Sequence, residues 1–235
     1  NKKTYFKTTL LLLNVTTKIK KIIHKDVFFL FFTNNYSFFC TVIILILMKK
    51  IAIFASGNGS NAENIIQYFK NSNQGTVVAV FSNNSNAKVV EKAKNHQIPV
   101  VVFLKSELNA GFVLHELYRF QPDLIVLAGF LLKFPESILK EYPKVINIHP
   151  ALLPKYGGKG MYGNHVHQAV LDNKEKETGI TIHYVNEHYD EGEFIFQKAV
   201  NIEDCKSPEE IAQKVHELER QFFPKVIYEV INSSF

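Results

Sequence analysis

The chain has 235 residues, 46% of them hydrophobic and 21% charged, which are the values of a globular protein with ample apolar material for a core. Two cysteines, Cys40 and Cys205, supply neither a disulfide framework nor a metal-ligand spacing. The net charge of +5 comes from residues 1–47, which hold seven lysines and one acid, Asp26; the remainder nets −1, so no basic surface argues for a nucleic-acid partner.

Residues 1–47 are rich in Lys, Asn, Phe, Ile and Leu, with no Gly or Pro as punctuation. Met48 is the first methionine and directly precedes a clean strand start. The stretch is therefore expected to be a non-native or unstructured leader ahead of one domain over 48–235. The apolar run over 27–47 is interrupted by Thr33-Asn34-Asn35-Tyr36-Ser37, short of the ~20 residues a membrane span needs, so no membrane partner is expected.

From Met48 onward strands and helices alternate. Residues 50–55 read as a buried strand and 56–61 as a glycine-rich turn. A helix over 62–70 follows, with Ile65, Ile66 and Phe69 at helical spacing and Asn61 as its N-cap. Further strands are expected over 76–82, 99–103, 123–128 and 144–148, separated by helices over 87–95, 107–120 and 135–140. The unbroken apolar run Leu124-Ile125-Val126-Leu127 is the pattern of a strand covered on both faces. This alternation predicts an α/β protein: an open, mostly parallel twisted sheet with helices on both faces. A loop over 149–163, carrying two prolines and four glycines, changes the rhythm. A helix over 164–172 and strands over 179–185 and 194–200, expected to run antiparallel, come next. Ser207 caps the last helix, with Pro208 in its first turn and Glu210 completing a capping box; Pro224 is expected to kink it.

Three segments carry candidate chemistry. Gly57-Asn58-Gly59-Ser60-Asn61-Ala62 matches a dinucleotide fingerprint in form, but Ser82-Asn83-Asn84 at the end of the second strand lacks the acid that would hold a ribose. A Ser/Asn-rich turn at a helix N-terminus suits a single phosphate group better. Asn147 and His149 are two residues apart on a strand, so they point to one side, at the lip where open α/β sheets bind ligands. An amide and an imidazole there suit oxyanion stabilisation and proton transfer. Asp190, in Asp190-Glu191-Gly192, could pair with the histidine and raise its pKa. His183 reads as a core histidine. His165, His167 and His188 form no metal pattern, and no nucleophile motif is present.

Together these segments resemble the folate-dependent phosphoribosylglycinamide formyltransferases. The matching pieces are Ser56-Gly57-Asn58-Gly59-Ser60-Asn61, Ala79-Val80-Phe81-Ser82-Asn83, Leu127-Ala128-Gly129-Phe130 and Asn147-Ile148-His149-Pro150. Leu152-Leu153-Pro154-Lys155-Tyr156, Gly179-Ile180-Thr181-Ile182-His183-Tyr184-Val185 and Asp190-Glu191-Gly192 complete the set. The resemblance implies a Rossmann-like formyltransferase fold and formyl transfer from 10-formyltetrahydrofolate to glycinamide ribonucleotide in purine biosynthesis. It implies no metal, and a cytoplasmic monomer or homodimer.

The same resemblance puts the catalytic roles on Asn147, His149 and Asp190, and the ribonucleotide on Gly59, Ser60, Asn61 and Glu219. The folate falls to Leu131, Leu132, Lys133, Phe134 and Asn147, with Asn186, Glu187, His188 and Tyr189 closing over the pterin. The family often carries an arginine where this chain has Leu131-Leu132-Lys133, which leaves the folate's glutamate tail to Lys133 or Lys105. Alternatives are a formyltetrahydrofolate hydrolase, a formyltransferase acting on another amine, or an NAD-dependent oxidoreductase. A tRNA formyltransferase would need a second domain and a basic surface.

Overall fold

The structure, a computed structural model, describes residues 48–233. The leader reading over 1–47 lies outside the described residues. Seven strands form one sheet: β1 (Lys49–Phe54), β2 (Gly75–Ser82), β3 (Val100–Val102), β4 (Leu124–Leu127), β5 (Val145–His149), β6 (Glu177–Tyr184) and β7 (Phe194–Asn201). Their order is β3-β2-β1-β4-β5-β6-β7. The first five strands are parallel, and β5–β6 and β6–β7 pair antiparallel.

Alternate residues of the strands feed two cores, as the two-residue period of a sheet covered on both faces requires. Ile51, Ile53, Val80, Val126, Ile146 and Ile148 face one side. Helices α1 (Ser60–Phe69), α2 (Lys88–Asn95), α6 (Asn164–Asp172) and α7 (Pro208–Asn232) cover it. Ala52, Phe54, Phe81, Ile125, Leu127 and Val145 face the other, under α3 (Lys105–Asn109), α4 (Phe112–Phe120) and α5 (Glu136–Glu141). Phe54 is the centre of this second core. It stacks on Phe81 at 4.6 Å and meets Phe130 and Phe134 edge-on at 5.4 and 5.2 Å. Those rings lock the segment after β4 against the sheet.

Two expected boundaries differ, and the last helix continues through a proline. Helix α1 begins at Ser60, because Gly59 takes the left-handed conformation (φ 71°) and ends the turn earlier than the sequence suggested. A Cβ at Gly59 would lie 2.5 Å from Val89, so the turn also requires glycine for space. Asn61 is therefore not the cap and its amide is free for another partner. The helix expected over 107–120 is two helices, α3 and α4, separated by Gly111 at φ 92°. Finally, α7 runs as a single 25-residue element through the buried Pro224. Proline has no N–H, so the Arg220 carbonyl loses its donor within the helix; Asn64 on α1 donates to that carbonyl at 2.9 Å. The capping box at the start of α7 is half made as expected. Ser207 accepts from the Glu210 N–H at 3.3 Å, whereas the Glu210 carboxylate takes the N–H of Lys206.

Candidate functional site

The sheet order reverses at β1, whose neighbours are β2 on one side and β4 on the other. Loops leaving adjacent strands there turn to opposite faces and open a crevice at the strands' C-terminal ends. A cavity of about 630 Å³ occupies this place. The turn after β1, the segment after β4, the end of β5, the loop over 158–163 and the loop over 185–190 line it.

The cavity gathers most of the expected site residues. Gly59, Ser60, Asn61 and Glu219 line it, as do Leu131, Leu132, Lys133, Phe134, Asn147, His149, Asn186, His188, Tyr189 and Asp190. Glu187, in the same loop, is exposed and sits 3.5 Å from His188 Nε2; it is not among the residues that line the cavity. Of the two lysines expected near the folate's anionic tail, Lys133 lines the cavity and Lys105 does not. The structure also adds His167, His183 and His216.

Asn147 and His149 share one face of β5 because they are two residues apart. The antiparallel register sets His183 opposite Asn147 and Thr181 opposite His149. The Asn147 Nδ2 is thus 3.2 Å from His183 Nε2, and His183 Nδ1 is 2.9 Å from the Tyr184 carbonyl. His183 was expected to be a core histidine; it is buried, but the strand pairing aims it into the site. Only the β5–β6 register could have revealed this, and register is not written in the local pattern.

Asp190 arrives from the loop after β6 in a left-handed conformation (φ 57°) that Asp tolerates. Gly192 makes the return possible, since a Cβ there would lie 1.6 Å from the Tyr184 carbonyl oxygen. One Asp190 oxygen accepts the Gly158 N–H at 2.9 Å and lies 3.6 Å from His149 Nδ1; the other lies 3.6 Å from His183 Nε2. Burial pushes the Asp190 carboxyl up, but His183, His149 and the Gly158 N–H together hold it below the ordinary carboxylate value.

His149 is 3% exposed. Its Nε2 is 2.7 Å from the Tyr156 carbonyl, which can only accept, so Nε2 carries a proton in every state. The nitrogen that titrates is Nδ1, on the Asp190 side. Burial lowers the pKa of the ring below 6.5, outweighing Asp190 and the Tyr156 carbonyl, which raise it. This corrects the expectation that a neighbouring carboxylate would leave the imidazole with a raised pKa: desolvation wins. At neutral pH the ring is mostly neutral, with a lone pair on Nδ1.

At the other end of the cavity, Glu219 is 5% exposed. One of its oxygens accepts from Asn61 Nδ2 at 2.9 Å and meets His216 Nδ1 at 2.9 Å. The Glu219 contact raises the pKa of His216 above 6.5. This joins the glycine-rich turn to α7. His167, 2% exposed on α6, has an Nδ1 with no hydrogen-bond partner; burial, then repulsion from His216, lowers its pKa to about 4. Among the described residues no group of His, Cys, Asp or Glu could hold a metal ion, and no helix is long and apolar enough to cross a membrane. The arrangement offers amide donors at one end of a cavity and a donor–imidazole–carboxylate set at the other.

Residues 49–227 match the formyl transferase family. A phosphoribosylglycinamide formyltransferase of Bacillus subtilis is 38% identical over 78% of this chain and 95% of its own length. The chloroplastic phosphoribosylglycinamide formyltransferase of Arabidopsis thaliana is also 38% identical, over 76% of this chain; the match spans 64% of that relative's length. A crystal structure of the Bacillus halodurans phosphoribosylglycinamide formyltransferase superposes with a TM-score of 0.71, at 35% identity, covering 79% of this chain and 96% of that one.

Proposed function

The chain belongs to the formyl transferase family, and from that premise we propose that it transfers the formyl group of 10-formyltetrahydrofolate to the amine of glycinamide ribonucleotide. The carrying observation is that one cavity joins the Gly59–Asn61 turn to the Asn147, His149 and Asp190 side chains. Backbone N–H groups at the N-terminus of α1 suit the ribonucleotide phosphate. Glu219, held by Asn61 at 2.9 Å, is a cavity-lining carboxylate beside that turn and suits the ribose hydroxyls. Leu131, Leu132 and Phe134 form an apolar wall for the folate ring system, with Asn186, His188 and Tyr189 over it and Lys133 toward its anionic tail.

In this reading the amine lone pair attacks the formyl carbon, and the carbonyl π electrons become an oxyanion. The Asn147 N–H₂ donates to that oxygen. The attacking nitrogen now bears a positive charge and an extra proton. His149 Nδ1, neutral at the start, takes that proton and becomes an imidazolium, which Asp190 stabilises across 3.6 Å. The same proton then goes to N10 of the folate as the C–N10 bond breaks, leaving formylglycinamide ribonucleotide, tetrahydrofolate and a neutral ring. The step balances with no metal and no covalent enzyme intermediate.

The test is absorbance-monitored turnover of 10-formyltetrahydrofolate with and without glycinamide ribonucleotide. Turnover that depends on the ribonucleotide supports the proposal. Deformylation that proceeds equally without acceptor would make the protein a hydrolase, and no turnover under either condition would sink the reading. A cytoplasmic location belongs to the same proposal. A monomer and a homodimer are equally compatible with it.

A further inference from the structure

We infer that Thr181 and Gln197 are positioning residues for His149: they hold the bend after β5 so that the Tyr156 carbonyl keeps a proton on Nε2 and leaves Nδ1 as the nitrogen that accepts and returns the catalytic proton. This inference rests on the formyl-transfer reading above and concerns two residues that are not among those lining the cavity.

The observation is a polar row running straight across three antiparallel strands. His149 on β5 stands opposite Thr181 on β6, and Thr181 stands opposite Gln197 on β7. The Thr181 hydroxyl belongs to a side chain that is 0% exposed and lies between the fully buried Ile180 and Ile182. It makes every bond a hydroxyl can make. It donates to the Ala151 carbonyl at 2.7 Å and accepts from the Leu153 N–H at 3.0 Å and from Gln197 Nε2 at 2.9 Å. Gln197 Nε2 also donates to the Leu153 carbonyl, at 2.9 Å. Both backbone groups of Leu153 and the carbonyl of Ala151 are thus tied to two side chains on neighbouring strands.

These ties fix the path of the chain between β5 and Tyr156. The segment over 150–156 leaves the sheet at Pro150, and the Tyr156 carbonyl returns to within 2.7 Å of His149 Nε2. A carbonyl one ångström away from that position would not bond Nε2, and the ring could then carry its proton on either nitrogen. A neutral ring with its proton on Nδ1 has no lone pair facing the site and cannot relay a proton. A valine at 181 would fill the same space, so packing alone does not account for the hydroxyl.

The experiment compares Thr181→Val, Thr181→Ser and Gln197→Met in the full-length chain. One readout is steady-state kinetics. The other is the proton resonance of His149 Nε2–H, which a bond to a carbonyl shifts downfield and protects from exchange. Thr181→Val should lower kcat about 10- to 100-fold while both KM values stay within about threefold. It should also abolish the Nε2–H resonance and move the acidic limb of kcat to lower pH, because the Tyr156 carbonyl helps raise the His149 pKa. Thr181→Ser, which keeps the hydroxyl, should restore all three. Gln197 lies on the exposed edge strand and can be replaced without opening the core, so Gln197→Met carries the test if Thr181→Val does not fold; it should weaken the resonance and kcat together. The inference is overturned if the Nε2–H resonance and the pH limb stay in place in Thr181→Val or Gln197→Met, or if Thr181→Ser is as impaired as Thr181→Val. The resonance is read without substrate, so losing the formyl-transfer reading and losing this inference are separate outcomes.

Discussion

Asn147 and His149 divide the work of the proposed reaction between a donor that never changes charge and a ring that changes charge twice. The two roles predict different kinetic signatures. Asn147→Ala removes a donor aimed at an oxyanion that exists only after attack, so kcat should fall on the order of 10²–10³-fold with KM for the ribonucleotide little changed. A variant with near-wild-type turnover would remove Asn147 from the reaction. Asp190→Asn addresses the ring. His149 must begin neutral to accept a proton, so activity should fall as pH drops through its pKa, which burial places below 6.5. Asp190 raises that pKa, so replacing it with a neutral amide should lower it further and carry the acidic limb of kcat to lower pH, along with a lower plateau. An acidic limb that stays where it is in Asp190→Asn would show that His149 does not titrate in the rate-determining step.

The loop after β6 brings Asp190 to these residues, and it depends on a glycine that no side chain can replace. Gly192 lets the loop after β6 close on Tyr184, and that closure delivers Asp190. Gly192→Ala places a Cβ 1.6 Å from a carbonyl oxygen, so the loop must move. A displacement near 1 Å should cost kcat on the order of 10²-fold. The thermal midpoint should change much less than kcat, because the loop contributes little to either core; equal damage to both would argue that the loop is structural. The start of α7 makes a contrasting case. Ser207→Ala removes its cap bond and should cost about 1 kcal/mol in urea unfolding with turnover unaffected.

These examples mark how far the chain could be read in advance. The strand–helix alternation, the parallel sheet and the Ser207 cap are local patterns, and local patterns were legible. The turn at Gly57–Asn61 and the pair Asn147 and His149 were legible for the same reason. The break between α3 and α4 was not, because Gly111 lies in an otherwise continuous helical period and only its φ of 92° ends the helix. Nor were His183, Thr181 and Gln197, which owe their places to strand register, a property of pairs. The sign of the His149 shift was missed for a related reason: a carboxylate neighbour can be guessed from sequence, but the burial that outweighs it cannot.

At the scale of the whole molecule, the site builds an acid sensitivity into stability. His167 is packed on α6 with its Nδ1 unpartnered, so protonation in the folded state puts charge on a buried ring whose Nδ1 has no acceptor. Its pKa is about 4, against an ordinary 6.5 that applies once the chain unfolds. Between those values the unfolded chain binds more protons than the folded one, so stability rises with pH in this window and falls as pH drops. The contribution is intact above pH 6.5, declines through the window, and is gone below about 4. A gap of this size corresponds to roughly 3 kcal/mol, a large share of the 5–15 kcal/mol typical of a domain. Asp190 acts in the same direction at lower pH, since its depressed pKa makes protonation another acid-driven loss. His216, whose pKa is raised by Glu219, acts in the opposite sense: its contribution is present below 6.5 and lost above its folded pKa. The net expectation is a stability optimum near neutrality. In urea titrations from pH 7 to pH 4, the wild-type midpoint should fall steeply, and His167→Leu should flatten that fall by about the His167 share; the loss due to Asp190 begins only below its ordinary value of 3.8, outside this range. A His167→Leu profile parallel to that of the wild type would show that the ring is solvated as the protein opens, and that the acid sensitivity resides elsewhere.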